Sequence, residues 1–135
     1  MLAISKRWPE PEIEFRKWAR GDLAKPYGLG EVQLVQVEPE LWVANLVGQH
    51  GVRRHGGAAP VRYEAIQEGL GKVARFALEV GASVHMPRIG CGLAGGRWEE
   101  VEPLIAEALE PGGVETTVYD LDGESVEPMG NWPKR

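Results

Sequence analysis

The chain has 135 residues, 43% of them hydrophobic, and 15 Lys and Arg against 20 Asp and Glu give a formal net charge of −5 at pH 7. A chain of this length buries roughly two thirds of its unfolded surface, so one domain can fold without disulfides or a structural metal. No apolar run reaches the ~20 residues of a membrane helix, and the single cysteine, Cys91, excludes an internal disulfide. The spacing of the three histidines, His50, His55 and His85, is not that of a zinc site. The chain contains no block of consecutive Lys or Arg, so general nucleic-acid binding is not predicted. We therefore expect a cytoplasmic protein without metal, cofactor or membrane association.

The first half of the chain predicts two helices, two strands and a loop. Prolines followed by acidic residues suit the first turn of a helix, and β-branched runs on either side of a proline turn indicate neighbouring strands. The predicted helices cover residues 2–7 and 10–20, the strands 32–37 and 41–47, and the glycine-rich loop 48–60.

The second half alternates helices with strands. Ile66, Leu70, Val73 and Ala77 recur at helical spacing, which predicts a helix over residues 61–80. A strand at 83–86, a loop at 88–96, a helix at 97–109 and a strand at 114–120 follow. This order predicts one α/β domain ending at residue 121, with a largely parallel later half and an irregular tail over 122–135.

The loop between the strand at 83–86 and the helix at 97–109 is rich in glycine. Such loops bind phosphate, because the backbone can approach an anion and the helix N-terminus adds a partial positive charge. Residues 90–95 match the dinucleotide pattern G-x-G-x-x-G, but Asp120 lies beyond the ~20-residue spacing of the acid that pattern requires. A tight turn without a ligand remains the alternative.

The run Met86-Pro87-Arg88-Ile89-Gly90-Cys91-Gly92-Leu93, followed by Trp98, resembles macro domains, which bind ADP-ribose. Within that family it is similar to the branch of terminal ADP-ribose glycohydrolases and ADP-ribose-1″-phosphate phosphatases. Further matches are residues 43–51, 63–66 and 117–121, so the likeness spans roughly 31–121. It implies a three-layer α/β/α fold with a mixed sheet.

The same resemblance implies a ligand site for ADP-ribose or an ADP-ribosylated molecule, without a metal. The implied diphosphate and ribose contacts are Arg88, Ile89, Gly90, Cys91, Gly92, Leu93 and Ala94. Gly48, Gln49 and His50 would form a second ligand loop, and Tyr119 and Leu121 would lie towards the adenine.

Two departures from the family bear on catalysis. Glycohydrolases of this branch use a lysine in the segment matching 48–50 and an aspartate directly after Gly-Cys-Gly-Leu, where this chain has Gln49 and Ala94. Neither an amide nor a methyl group can do their chemistry, so a binding module is favoured and no catalytic residue is assigned. The enzymatic alternatives are an ADP-ribose-1″-phosphate phosphatase with His50 as an acid or base, a deacylase, or another de-ADP-ribosylating hydrolase. A Cys91–His50 nucleophile is a further hypothesis.

A further departure concerns the sheet. The chain lacks the N-terminal strands usual in the family, one of which is central. Exposed strand edges pair with other chains, so we expect either a dimer across the gap or closure of the remaining strands into a smaller sheet. A shortened remnant that acts only by self-association is the third functional alternative.

Overall fold

The computed structural model describes residues 6–49, 61–91, 95–120 and 127–128. The described helices are α1 (Glu10–Ala19), α2 (Tyr63–Val80) and α3 (Trp98–Leu109), and the strands are β1 (Val32–Glu38), β2 (Leu41–Leu46), β3 (Val84–Pro87), β4 (Thr116–Asp120) and β5 (Glu127–Pro128). Each helix and strand predicted between residues 10 and 120 is present, with its ends shifted by one or two residues. Within the predicted tail, the two described residues form β5. No helix among the described residues is long and apolar enough to cross a membrane.

The α/β class predicted from the sequence is confirmed, but the described strands lie in two sheets. β1 and β2 form an antiparallel hairpin, with Val32 opposite Leu46. β3 and β4 are parallel, with His85 beside Thr117, and β5 adds an antiparallel edge to β4. β2 and β3 belong to different sheets, so the expected closure into one smaller sheet is wrong for the described residues.

Helix α2 supplies the core that both sheets share. Its buried face carries Ile66, Leu70, Ala74 and Ala77, as the helical spacing predicted. This face packs with Met86 of β3 and with the buried side of α3, while Leu46 and Trp42 of β2 contact the same helix at Gly69 and Phe76. Gly81, in a left-handed conformation with φ of 70°, ends the helix.

Helix α1 covers the opposite face of the hairpin. Trp18 is fully buried, and its indole N–H donates to the carbonyls of Lys25 and Pro26, both 3.1 Å away. The buried Asn45 amide donates to the Pro11 carbonyl at 3.0 Å and to the Gln33 side chain at 2.9 Å. These bonds satisfy polar groups that would otherwise be costly to bury, and they fix α1 on β1 and β2.

Two glycines of α2 provide a matched test of this packing. A Cβ at Gly69 would lie 2.5 Å from Leu46 Cγ, whereas a Cβ at Gly71 would meet no atom within 4 Å. We expect Gly69→Ala to destabilise the protein by about 1–3 kcal/mol through overpacking. Gly71→Ala should stabilise it by up to ~1 kcal/mol, because alanine favours helix. Urea denaturation measures both, and equal effects of the two substitutions would contradict the close contact of β2 with α2.

Candidate functional site

The two glycine segments that follow β2 and β3 meet over Ile66 of α2. A Cβ at Gly48 would lie 3.0 Å from Ile66 Cγ1, and a Cβ at Gly90 would lie 2.8 Å from Ile66 Cδ1. Val61, just before α2, approaches the same Gly90 position to 3.3 Å. Both segments follow the carboxyl ends of strands, where α/β proteins bind ligands. The structure therefore brings the described parts of the two predicted loops together.

Main-chain hydrogen bonds tie Gly48 and Gln49, in the segment after β2, to the start of α2. The Arg62 amide donates to the Gly48 carbonyl at 2.8 Å, and Gln49 pairs with Val61 in an antiparallel bridge. Tyr63, the first residue of α2, accepts a hydrogen bond at its hydroxyl from the Arg97 amide at 3.2 Å. Arg97 directly precedes α3, so this hydrogen bond brings the N-terminus of α3 close to that of α2, beside the glycine segments. Each helix N-terminus carries a partial positive charge.

The described amides of the loop after β3, residues 88–96, divide into two groups. Ile89 donates to the Pro87 carbonyl and Gly96 to the Gly90 carbonyl, both at 2.8 Å, so these amides are occupied by the protein itself. The amides of Gly90, Cys91 and Gly95 donate to no acceptor within the described part of the chain. Among the described loop residues, an anion could therefore accept hydrogen bonds from Gly90, Cys91 and Gly95 but not from the amide of Ile89, which the sequence predicts as a ligand contact.

Glycine is required in this loop by packing and by backbone conformation. Gly90 and Gly95 have φ of 78° and 80°, a region that residues with a side chain rarely adopt. A Cβ at Gly96 would overlap the Gly90 carbonyl oxygen. These contacts explain the glycines whether or not a ligand binds, so the case for a ligand rests on the amides.

Arginines and a thiol surround the loop. The exposed Arg88 guanidinium lies 5.2 Å from the ring centroid of Trp98, and Arg97 Nε lies 3.5 Å from a Glu99 carboxylate oxygen. Burial raises the pKa of the Cys91 thiol, although the Arg88 charge acts in the opposite direction. The raised pKa disfavours the thiolate that a Cys91 nucleophile would need.

Tyr119 stands beside Pro87 in the β3–β4 register, next to the start of the loop. Its hydroxyl lies 3.4 Å from His85 Nδ1, and His85 Nε2 lies 2.8 Å from the Ser83 hydroxyl. The remaining predicted site residues lie outside the described part of the chain; they are His50, Gly92, Leu93, Ala94 and Leu121.

His85 should make stability depend on pH. Burial lowers its pKa below the ordinary 6.5, against a raising effect of the Glu115 charge, so folding favours the neutral ring. The stabilisation is present above the unfolded pKa and is lost as pH falls through the folded one. The free energy of unfolding of the wild type should therefore fall more steeply than that of His85→Gln between about pH 7 and pH 5. Urea denaturation across this range measures both slopes, and equal slopes would contradict the lowered pKa.

Sequence reasoning missed three residues that shape the site. The sequence presents Tyr63 and Trp98 through the family resemblance and Ile66 as a core position of its helix, without a role at the site. The structure places Tyr63 against Arg97, Ile66 against the glycine segments and Trp98 against Arg88. The available signal was an aromatic residue at the start of each helix that follows a glycine-rich loop. No cluster of three metal-ligating side chains occurs among the described residues.

Solved structures resemble this chain over most of its length. A macrodomain protein from Streptomyces coelicolor is 56% identical, with a TM-score of 0.75 over 88% of this chain and 75% of that one. A protein of unknown function from Bacteroides thetaiotaomicron is 49% identical, with a TM-score of 0.84 over 89% of this chain and 76% of the other.

Curated proteins match over smaller parts of their own length. Human ADP-ribose glycohydrolase OARD1 is 40% identical over 60 residues, which are 44% of this chain and 40% of that protein. The zebrafish (Danio rerio) Chromodomain-helicase-DNA-binding protein 1-like is 32% identical over 124 residues, which are 87% of this chain but 12% of the relative. No family model matches the chain.

Proposed function

This chain belongs to the macrodomain family, and we propose that it binds ADP-ribose or an ADP-ribosyl group across the glycine segments that meet over Ile66. The observation that carries the proposal is the set of amides at Gly90, Cys91 and Gly95, which donate to no acceptor among the described residues and lie beside two helix N-termini. A diphosphate offers anionic oxygens that such amides and helix ends favour.

The parts of the ligand are assigned from the resemblance of these segments to macro-domain motifs. The diphosphate and adjoining ribose would lie on the segment 88–94, with Gly48, Gln49 and His50 on a second side. Tyr119 and Leu121 would face the adenine, and the position of Tyr119 beside Pro87 supports this placement. The macrodomain itself is assigned to residues 1–121, with 122–135 as a tail.

We favour binding over glycoside hydrolysis. The human relative is named as a glycohydrolase, but the lysine and aspartate used in that branch are replaced here by Gln49 and Ala94. An amide cannot form the covalent sugar adduct that a lysine forms, and a methyl group cannot transfer a proton. Dephosphorylation of ADP-ribose-1″-phosphate, with His50 as acid or base, is the enzymatic alternative.

Calorimetric titration with ADP-ribose, combined with turnover assays, tests the proposal. We expect saturable 1:1 binding and no release of ADP-ribose from an ADP-ribosylated protein. Turnover of ADP-ribose-1″-phosphate would replace the binding module with a phosphatase, and absence of both binding and turnover would favour a remnant without a ligand.

Self-association is a second candidate property, favoured by the outer edge of β2. The Val47 amide donates to the Glu31 carbonyl at 3.0 Å, so by strand alternation Ala44 and its alternate neighbours direct their main-chain groups away from β1. Ala44 is exposed, and β2 and β3 lie in separate sheets over the same helix. An edge of this kind is a template for another strand.

We propose that two copies pair through this edge. Light scattering should give the mass of a dimer, and Ala44→Pro should give a monomer, because proline lacks the N–H that a pairing strand needs. A compact wild-type monomer at high protein concentration would refute the dimer and leave the ligand proposal intact.

A further inference from the structure

Arg88 and Trp98 form a pair at the rim of the glycine-rich loop between β3 and α3. The guanidinium carbon lies 5.2 Å from the centroid of the indole ring, within the range of a cation–π contact. Arg88 directly follows β3, and Trp98 is the first residue of α3, so the pair spans the two ends of the loop.

The indole is the fixed member of this pair. Trp98 is half-buried and packs against the hydrophobic core, whereas Arg88 is exposed. A flexible arginine loses side-chain entropy when it is ordered by a ligand, and a ring that already holds it reduces that cost on binding. Trp98 therefore sets where the Arg88 charge lies before any ligand arrives.

The Arg88 charge lies at the start of the loop, directly after β3 and three residues before Cys91. Its effect on the pKa of the Cys91 thiol opposes those of burial and of the Glu99 carboxylate, so both charged groups act on this part of the loop. The neighbouring cation, Arg97, lies 3.5 Å from the Glu99 carboxylate, which offsets its charge.

We propose that Trp98 is a positioning residue that holds the Arg88 guanidinium against the diphosphate of the bound ligand. This inference rests on the proposed function, since it concerns the same site. Arg88 contacts the ligand and Trp98 acts through Arg88, so the two side chains should be energetically coupled in binding although only one of them meets phosphate.

A double-mutant cycle tests the coupling. ADP-ribose affinity is measured by calorimetry for the wild type, Arg88→Gln, Trp98→Met and the double variant, at low and high salt. Methionine fills part of the indole volume without offering an aromatic face, and Trp98→Phe, which keeps an aromatic face, is the conservative control. We expect Trp98→Met to weaken binding about 3- to 10-fold at low salt and less at high salt, and Trp98→Phe to stay within about twofold of the wild type.

The decisive comparison is made in the Arg88→Gln background. There Trp98→Met should have no further effect on affinity, because the charge it positions is gone. Losses that simply add, or a Trp98→Met loss that is unchanged at high salt, would assign Trp98 a structural role only and overturn the inference. If Trp98→Met does not fold, the same cycle with Trp98→Leu and Arg88→Gln decides, with coupling supporting the inference and additivity opposing it. A wild type that does not bind ADP-ribose would instead refute the proposed function.

Discussion

Replacing Gly96 with alanine is expected to remove ADP-ribose binding from calorimetric detection. The new Cβ would overlap the Gly90 carbonyl oxygen, which is backbone and cannot rotate aside as a side chain could. Relief of the overlap must break the hydrogen bond from the Gly96 amide to that carbonyl and move the amides of Gly90 and Cys91. We expect overpacking to cost about 1–3 kcal/mol in unfolding free energy, which a folded domain can survive.

Gly28→Ala is the matched control for this substitution. Gly28 also lies in a loop, but a Cβ there would meet no atom within 4 Å, and its φ is not in the left-handed region. It should keep wild-type affinity and stability. Wild-type affinity in Gly96→Ala would show that the loop conformation does not determine binding, contrary to the proposed site.

Ile66→Ala is expected to lower both stability and affinity. Ile66 is 2% exposed, and its side chain underlies both Gly48 and Gly90. Loss of its buried atoms should cost about 2–5 kcal/mol of unfolding free energy. Because both glycine segments lose their support, we also expect ADP-ribose affinity to fall about tenfold, equivalent to ~1.4 kcal/mol.

Leu70→Ala separates these two effects. Leu70 lies one turn further along α2, is also 2% exposed and belongs to the same core, but it is not among the nearest neighbours of Gly48 or Gly90. Its truncation should reduce stability by a similar amount and leave the affinity of the folded protein unchanged. Equal losses of affinity in both variants, measured well below their melting temperatures, would show that Ile66 acts only through general stability.

The helices and strands could be predicted because their signals are local. The spacing of Ile66, Leu70 and Ala77 identifies α2, and Gly81 marks its end. Strand pairing depends on contacts between distant parts of the chain, which local patterns do not encode. The sequence therefore predicts either closure of the strands into one smaller sheet or pairing of two copies across the gap. The structure places β2 and β3 in different sheets, which excludes closure for the described strands.

The site was predicted less completely than the fold. Both glycine segments follow predicted strand ends, so their proximity could be expected from the rules for α/β sheets. The contact of both segments with the Ile66 side chain could not be predicted, because in the sequence Ile66 is one more core position of a helix. Which loop amides are occupied depends on the fold of the loop itself, and among the described loop residues the amides of Ile89 and Gly96 bond within the protein.

Amide chemical shifts in a ¹⁵N-labelled chain titrated with ADP-ribose test the central claim most directly. The account predicts large, saturable shifts of the Gly90, Cys91 and Gly95 amides, with little change at the half-buried Gly71 of α2. Saturable binding that leaves these three amides unperturbed, or no binding at all, would contradict it.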